Sequence, residues 1–500
     1  MRKVVEPQME LGELPIGMIE LDARSRDDIP QILRGLQHLY TTPEVRAEVF
    51  AILEELVPER STETGPEKVD VENGRPGMSQ WNLLVLGVLR LGLNADYDRI
   101  RELANEHRTI RQFLGHSGWD DDTSYGLQTL RDNLTRFTPE VLDRINQVVV
   151  RAGHRALKKS LEDGLVGRCD SFVVETDVHY PTDTNLLLDA IRKVIGLSAE
   201  LAAANDRTEW RQHAYHQRQF KRAYRRLTRL RHSTSQDPQR QQARTVAIAQ
   251  ACWDYLAAAE LHLQRSAATG AGVAAHDPAN FLLLQQIAIF SDHARRQIDQ
   301  IRRRLLEGER IPHDEKVFSL FEPHTEWISK GKAGVPVELG LRVCVMADPD
   351  GFLLHHQVME RCTDDTVAVP MVQETHERFP QLHAVSMDKG FHSPSNQTEL
   401  RQIVDTVVLP KKGRCNREEA EREADPAFAA LRRTHAAVES AINALEVHGL
   451  DRCPDHGIDG FRRYVGLAVL ARNVQHLGAI LRRQERETEK RRRGPYRKAA

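Results

Sequence analysis

The stretch LVGRCDSFVVET, residues 165–176, decides how the rest of the sequence is interpreted. Its apolar and β-branched residues predict a strand, and Asp170 lies in the middle of it. Residues 335–345 predict a second strand, because apolar side chains occupy every other position. The turn DPDG at 348–351 then leads into 352–358, which we interpret as the second arm of a hairpin.

Helices and strands alternate in the sequence that follows the hairpin. We predict a helix over 364–378, a strand over 383–387 that ends at Asp388, and a helix that begins at Ser393-Pro394. A strand over 404–409, a helix over 425–447 that carries Glu439, and a final helix over 461–483 complete the series. This is the element order of the ribonuclease H-like fold, a mixed α/β fold. Its first and fourth strands lie side by side and its last helix approaches them, so we expect Asp170, Asp388 and Glu439 to meet.

The remaining sequence is predicted to be helical. Short helices in 77–160 predict an all-α, helix-turn-helix-like DNA-binding domain, and TPE at 138–140 predicts a helix start. A long helical stretch follows the first strand, whereas 59–76 is typical of a loop. The expected parts are an N-terminal extension 1–76, a helical domain 77–160, a catalytic domain 161–184 with 311–484, a large helical insertion 185–310, and a basic tail 485–500.

Composition excludes several classes of protein. The 500 residues are 40% hydrophobic and 28% charged, which is typical of a soluble globular protein. The sequence has no run of 18 or more apolar residues, so we expect no membrane span. The first fifteen residues lack the apolar core of a secretory signal. Six scattered cysteines without a CxxC pair argue against a disulfide framework and against a cysteine zinc site. A cytoplasmic, nucleoid-associated protein is therefore expected.

Three carboxylates on two strands and a helix suit the cleavage of phosphodiester bonds. Two metal ions about 3.5–4 Å apart activate the attacking oxygen and stabilise the leaving one. Magnesium prefers hard oxygen ligands and keeps several waters, so a few carboxylates are enough to hold it. We therefore expect two Mg²⁺ ions, for which Mn²⁺ can substitute.

Short blocks around these acids resemble insertion-sequence DDE transposases of the ISNCY type. The blocks are DSFVVETDVHYPTD at 170–183, ISKGKA at 328–333 before Glu338, MDKGFH at 387–392, RTHAAVE at 433–439 with Asn443, GLDRC at 449–453, ARN at 471–473, and GRPG at 74–77. They occur in the family's order and cover about 75–480. The resemblance implies that Asp170, Asp388 and Glu439 are the catalytic metal ligands.

Two points in these blocks stay open. Asp177 also ends an apolar run and is an alternative first acid, but the interval from Asp170 to the PTD at 181–183 fits the family block better. Some related transposases have an Arg four residues before the glutamate and a Lys seven after it. Here those positions are His435, which can still reach a phosphate, and Glu446, which cannot replace the lysine.

Local basic patches predict contacts with DNA although the net charge is −2. Four arginines repeat at helical spacing opposite the apolar stripe of Phe220, Tyr224, Leu227 and Leu230. These arginines are Arg218, Arg222, Arg225 and Arg229. Lys330 and Lys332 share one face of an extended segment and are further candidates for phosphate contacts.

The expected function is that of a DNA transposase, which cleaves the ends of an insertion sequence and transfers the strands into target DNA. The expected partners are the terminal inverted repeats, target DNA and further copies of the chain, with no membrane. Two alternatives remain: a ribonuclease H-like nuclease without strand transfer, and a non-catalytic DNA-binding protein derived from a transposase. Inverted repeats flanking the reading frame would favour the first interpretation.

Overall fold

The protein is described from a computed structural model. The structure describes residues 3–5, 13–56, 59–62, 65–68, 77–118, 121–160, 163–232, 237–274, 276–329 and 337–492. The chain divides into two compact units, one formed by 1–177 with 328–500 and the other by 178–327.

Seventeen α-helices are present in the described residues. They are α1 Ile29–Thr41, α2 Pro43–Glu54, α3 Gln80–Gly92, α4 Tyr97–Glu106, α5 Arg108–Phe113, α6 Leu127–Leu134, α7 Pro139–Ala156, α8 Asp183–Ala204, α9 His213–Arg231, α10 Pro238–Ala271, α11 Pro278–Leu305, α12 Asp364–Arg378, α13 Pro394–Ile403, α14 Arg417–Ala424, α15 Pro426–His435, α16 Ala437–Leu445 and α17 Gly457–Arg492. None of them is both long and apolar enough to cross a membrane.

Nine strands are present in the same described residues. They are β1 Glu59–Thr62, β2 Gly65–Lys68, β3 Leu165–Thr176, β4 Glu326–Ser329, β5 Val337–Ala347, β6 Leu353–Met359, β7 Leu382–Met387, β8 Thr406–Val408 and β9 Arg452–Cys453. The chain is therefore a mixed α/β protein in which helices predominate.

Seven of the strands form one mixed sheet with β3 at its centre. The order of neighbours is β4, β5, β3, β7 and β8, while β6 also pairs with β5 and β9 with β3. β3 is antiparallel to β5 and parallel to β7, and β7 is parallel to β8. The hairpin of β5 and β6 is antiparallel, as the sequence predicted.

The first unit has one continuous hydrophobic core that joins the N-terminal helices to the sheet. α17 packs against α1, α3 and α7. Buried amides connect three elements at this point: Asn473 donates to Asn146 Oδ1 at 2.7 Å and to the Leu353 carbonyl at 2.8 Å, and its own oxygen accepts the Leu353 N–H at 2.9 Å. Each buried polar group therefore has a partner, so the network costs little stability.

The second unit is built from α8 to α11 around its own core. Three of these helices, α8, α10 and α11, begin at capping residues, because Thr182, Asp237 and Asp277 each accept a backbone N–H in the first turn. Within the core, Phe220 stacks on Tyr255 with ring centroids 4.7 Å apart.

Several predicted boundaries differ from the structure. The second unit, 178–327, is longer than the predicted insertion 185–310, and the predicted helical domain 77–160 shares a compact unit with the sheet. The 59–76 region, predicted as a loop, contains the antiparallel pair β1 and β2. The predicted helix 425–447 was also wrong as one element: it divides between α15 and α16, because the Glu439 N–H bonds to the carbonyl three residues back, at Ala436, and tightens the turn.

Candidate active site

Asp170 on β3 and Asp388, the residue directly after β7, lie at the same level of two neighbouring parallel strands. Cys169 of β3 pairs with Met387, the last residue of β7, so the next residue of each chain segment is an aspartate. Asp170 is half-buried within the long strand, whereas Asp388 is exposed just beyond the end of its strand. The parallel register thus brings together two acids that are 218 positions apart in the sequence.

The helices α15 and α16 approach the same region. Arg168 pairs with Ser386 across the two strands, and Asp170 shares the face of Arg168 because strand side chains alternate. His435, the last residue of α15, lies with its Nδ1 3.1 Å from Ser386 Oγ. Glu439 is exposed in the first turn of α16, four residues further on.

Electrostatics indicate that these acids are close to one another. Burial, with the negative charges of Asp388, Asp364 and Glu439, raises the pKa of Asp170 to about 6, against the opposing effect of the hydrogen bond from the Ser171 N–H. Burial lowers the pKa of His435, and Arg168 acts in the same direction, while Asp388 and Glu439 oppose them. Four carboxylates therefore share one region, which favours protonation of the most buried one or the binding of a cation.

Asp364, the first residue of α12, is the member of this group that the sequence did not predict. The Ser171 hydroxyl donates to Asp364 Oδ1 at 2.6 Å, and the Ser171 N–H donates to Asp170 Oδ1 at 2.8 Å. An acid after Thr363 at a helix start is typical of helix capping, so the sequence offered no signal of a second role.

The pairing pattern of β3 leaves room for these side chains. Pairing with β7 ends at Cys169, and pairing with β9 begins at Glu175. On the β7 side of β3, no strand within the described residues pairs with 170–174. Side chains from α12 and α16 can therefore approach Asp170 there.

The donor set fits divalent cations of the magnesium type, since all four acids offer hard oxygen ligands. The ligand atoms of these four acids do not all lie within 4.8 Å of one another. Among the described residues, only one group of three or more potential ligands meets that criterion, and it consists of His154, Asp348 and Asp350. A pair of ions about 4 Å apart needs ligands spread more widely than that.

The group of His154, Asp348 and Asp350 has protein partners that account for it. Asp348 Oδ1 accepts the N–H groups of Asp350 and Phe352, and Oδ2 lies 2.7 Å from His154 Nε2. Asp350 forms an ion pair with Lys159. These contacts fix the β5–β6 turn against α7, so the group has a structural role without a metal.

The alternative first acid, Asp177, lies beyond the opposite end of β3 from the β7 pairing. Its carboxylate is about half exposed and forms an ion pair with Arg452 of β9. Asp170, by contrast, is the aspartate adjacent in register to Asp388. The geometry favours Asp170 as the partner of Asp388.

The four arginines of α9 are all exposed, while Phe220 and Leu227 on the opposite side of the helix are buried. None of the four forms an ion pair with a residue that the structure describes, whereas the neighbouring Arg226 pairs with Asp254 at 3.1 Å. Lys330 and Lys332 lie outside the described residues.

Comparison with known proteins gives one match. Residues 306–474 match the family model described as a transposase DDE domain. No curated protein and no solved structure matches the chain. The matched segment includes Asp388 and Glu439 but not Asp170.

The match supports a DDE transposase, and the mixed α/β architecture is compatible with one. It supports nuclease or transposition activity in general. DDE transposases use divalent metals, and the family implies DNA binding.

Proposed function

We propose that this protein is the transposase of an insertion sequence of the ISNCY type, which cleaves DNA at the element's ends and joins the freed strands to target DNA. The observation that carries the proposal is the register of β3 and β7, in which Cys169 opposite Met387 makes Asp170 and Asp388 neighbours. The match of 306–474 to the transposase DDE domain supports the same function.

The sheet topology supports a ribonuclease H-like catalytic domain. In chain order, the hairpin strands β5 and β6 follow β3, and β7 and β8 then add in parallel on its other side. The central strand is thus flanked by the second and fourth strands of this series. In an arrangement of this kind, the proposed catalytic acids are Asp170, Asp388 and Glu439.

These three residues are proposed to hold two Mg²⁺ ions, with Mn²⁺ as a substitute. Bound ions of this kind activate the attacking water or 3′-hydroxyl and stabilise the leaving oxygen. Asp170 is fixed by the strand and by the Ser171 N–H, so it provides a rigid ligand. Asp388 and Glu439 are exposed and leave the site open to a DNA strand, while His435 beside them is proposed to contact a phosphate.

DNA contacts outside the catalytic group are proposed on several elements. The helices within 77–160 recognise the terminal inverted repeats, and the arginines of α9 bind the backbone without reading sequence. Lys330 and Lys332 are proposed to add phosphate contacts. Two DNA ends must be processed together, so we propose that the protein acts as a homo-oligomer on DNA in association with the nucleoid.

A strand-transfer assay with the element's own ends tests this function. Full-length protein, Mg²⁺ and a labelled end fragment should give cleavage at the end and joining to a target plasmid. Asp170→Asn, Asp388→Asn and Glu439→Gln should each abolish both products while DNA binding in a gel shift persists, because each change removes a negative ligand and keeps the shape. Asp177→Asn is the matched control and should remain active.

The outcomes separate the alternatives. Cleavage without joining would indicate a ribonuclease H-like nuclease, and binding without cleavage would indicate a DNA-binding protein derived from a transposase. An active Asp170→Asn variant together with an inactive Asp177→Asn variant would refute the choice of first acid.

A further inference from the structure

We call the unpaired edge of β3 at 170–174, between its pairing with β7 and its pairing with β9, the gap in the sheet. Asp364, the first residue of α12, lies at this gap, as the proposed metal ligands do. Its Oδ1 accepts the Ser171 hydroxyl at 2.6 Å, and the N–H of the same serine holds Asp170 Oδ1 at 2.8 Å. Ser171 therefore links the two carboxylates through its side chain and its backbone.

The loop after Asp388 also comes close to Asp364. A Cβ atom placed on Gly390 would lie 3.3 Å from Asp364 Oδ2, which is tighter than an ordinary contact. The glycine therefore lets this loop pack against the carboxylate. Asp364 thus lies between Ser171, which follows Asp170, and Gly390, which is two residues after Asp388.

We propose that Asp364 is a fourth carboxylate of this site, positioned by the Ser171 hydroxyl, and that it strengthens divalent-cation binding beside β3 and β7. The inference rests on the proposed function and deepens it. A fourth negative charge concentrates cations at the gap, and the serine fixes Asp364 and Asp170 relative to each other.

A purely local explanation of Asp364 makes a different prediction. A carboxylate in the first turn of a helix interacts favourably with the helix dipole and needs no cation. Asp365 is the matched control for that explanation, because it lies in the same first turn and is exposed. If the dipole were the whole explanation, the two residues would behave alike.

The test is a titration of the full-length protein with MnCl₂ in the absence of DNA, with free Mn²⁺ measured by electron paramagnetic resonance. Asp364→Asn keeps an oxygen acceptor for Ser171 and removes only the charge, so it should weaken Mn²⁺ binding by about tenfold or more. Asp365→Asn should bind as the wild type does, and Asp388→Asn should lose most binding.

The failures of the two proposals can be told apart. Wild-type affinity in Asp364→Asn together with loss in Asp388→Asn would overturn this inference and leave the proposed function standing. Equal Mn²⁺ binding by the wild type and Asp388→Asn would overturn both. If Asp364→Asn fails to fold, Ser171→Ala decides, since it keeps both charges and removes the hydrogen bond: weaker binding supports the inference and unchanged binding overturns it.

Discussion

Asp143 of α7 lies in a small group of charged side chains between α7, β6 and α12. Arg378 Nε lies 2.8 Å from Asp143 Oδ2, and His355 Nδ1 lies 3.5 Å from Oδ1. Glu374 completes the group, 3.2 Å from His355 and 3.3 Å from Arg378. Burial alone would raise the pKa of Asp143, but His355, His356 and Arg378 outweigh it and hold the pKa well below its ordinary value.

Replacing Asp143 with Asn should lower the free energy of unfolding by about 2 kcal/mol at pH 7. Removing one partner of a buried ion pair costs about 3–5 kcal/mol, and the remaining Glu374 together with partial exposure reduces that figure here. The midpoint of chemical unfolding measures the effect. Glu377→Gln, an exposed acid beside Arg378 on α12, is the control and should change stability by less than about 0.5 kcal/mol.

The ion pair of Asp143 and Arg378 also predicts how stability depends on pH. Because the folded-state pKa of Asp143 is depressed, its stabilising contribution is complete above the unfolded-state pKa of about 3.9 and is lost as the pH falls towards the folded-state value. The difference in thermal midpoint between wild type and Asp143→Asn should therefore be constant from pH 7 to about 5 and shrink below about 4. A difference that grows on acidification would contradict this account.

At the scale of a single element, α9 combines a packed face with a charged one. Phe220 and Leu227 are buried in the core of the second unit, which fixes the helix orientation. Arg218, Arg222 and Arg225 lie on the exposed side and lack acidic partners among the described residues. Because these positive charges are held on one side of a fixed helix, they can contact the phosphates of a DNA backbone.

Replacing Arg222 and Arg225 with Ala should weaken binding to all DNA sequences alike. Each lost phosphate contact with duplex should also lower the slope of log affinity against log salt by about 0.9. Gel shifts at several salt concentrations measure both quantities.

A second double variant, Arg240→Ala with Arg295→Ala, is the control for α9. These arginines are exposed in the same unit but already pair with Asp237 and Asp292 of their own helical segments. Replacing both should therefore change the slope of log affinity against log salt very little. An unchanged slope in the α9 variant would indicate that its arginines face solvent or another protein surface.

At the scale of the whole molecule, α17 connects the N-terminal helices to the sheet in the first unit. Where α1 and α17 cross, both helices have glycine. A Cβ on Gly478 would lie 1.9 Å from the Gln31 carbonyl oxygen, and one on Gly35 would lie 2.2 Å from the Val474 carbonyl oxygen. No side chain fits between these backbones, so the glycines permit the close crossing.

Gly478→Ala should therefore destabilise the first unit by about 3 kcal/mol, because one of the two backbones must move. Thermal unfolding followed by circular dichroism measures the loss. Gly460→Ala on the same helix is the control: its nearest neighbours would be 3.5 Å away, so the change should be within about 1 kcal/mol of neutral. Equal effects of the two variants would show that the crossing is looser than the structure indicates.

The sequence alone determined most elements of the sheet. Strict alternation in β5, the DPDG turn and the apolar run of β3 are local patterns, so they predicted β3 and the β5–β6 hairpin closely. The short strands β4 and β9 were not predicted, because two to four residues carry no periodic signal and pair only when a neighbouring strand is present. The break between α15 and α16 was missed for a different reason, because the sequence continues in helical composition across it.

For the candidate site, sequence patterns and family resemblance predicted Asp170, Asp388 and Glu439 but left Asp177 open and gave no sign of Asp364. Only the tertiary structure bears on the last two points. The register of two strands far apart in the chain makes Asp170 the neighbour of Asp388, and the packing of α12 brings Asp364 to the Ser171 hydroxyl. Side-chain spacing along a chain reports which residues share a face of one element, whereas the meeting of carboxylates from different elements depends on strand pairing and helix packing, which local sequence does not encode.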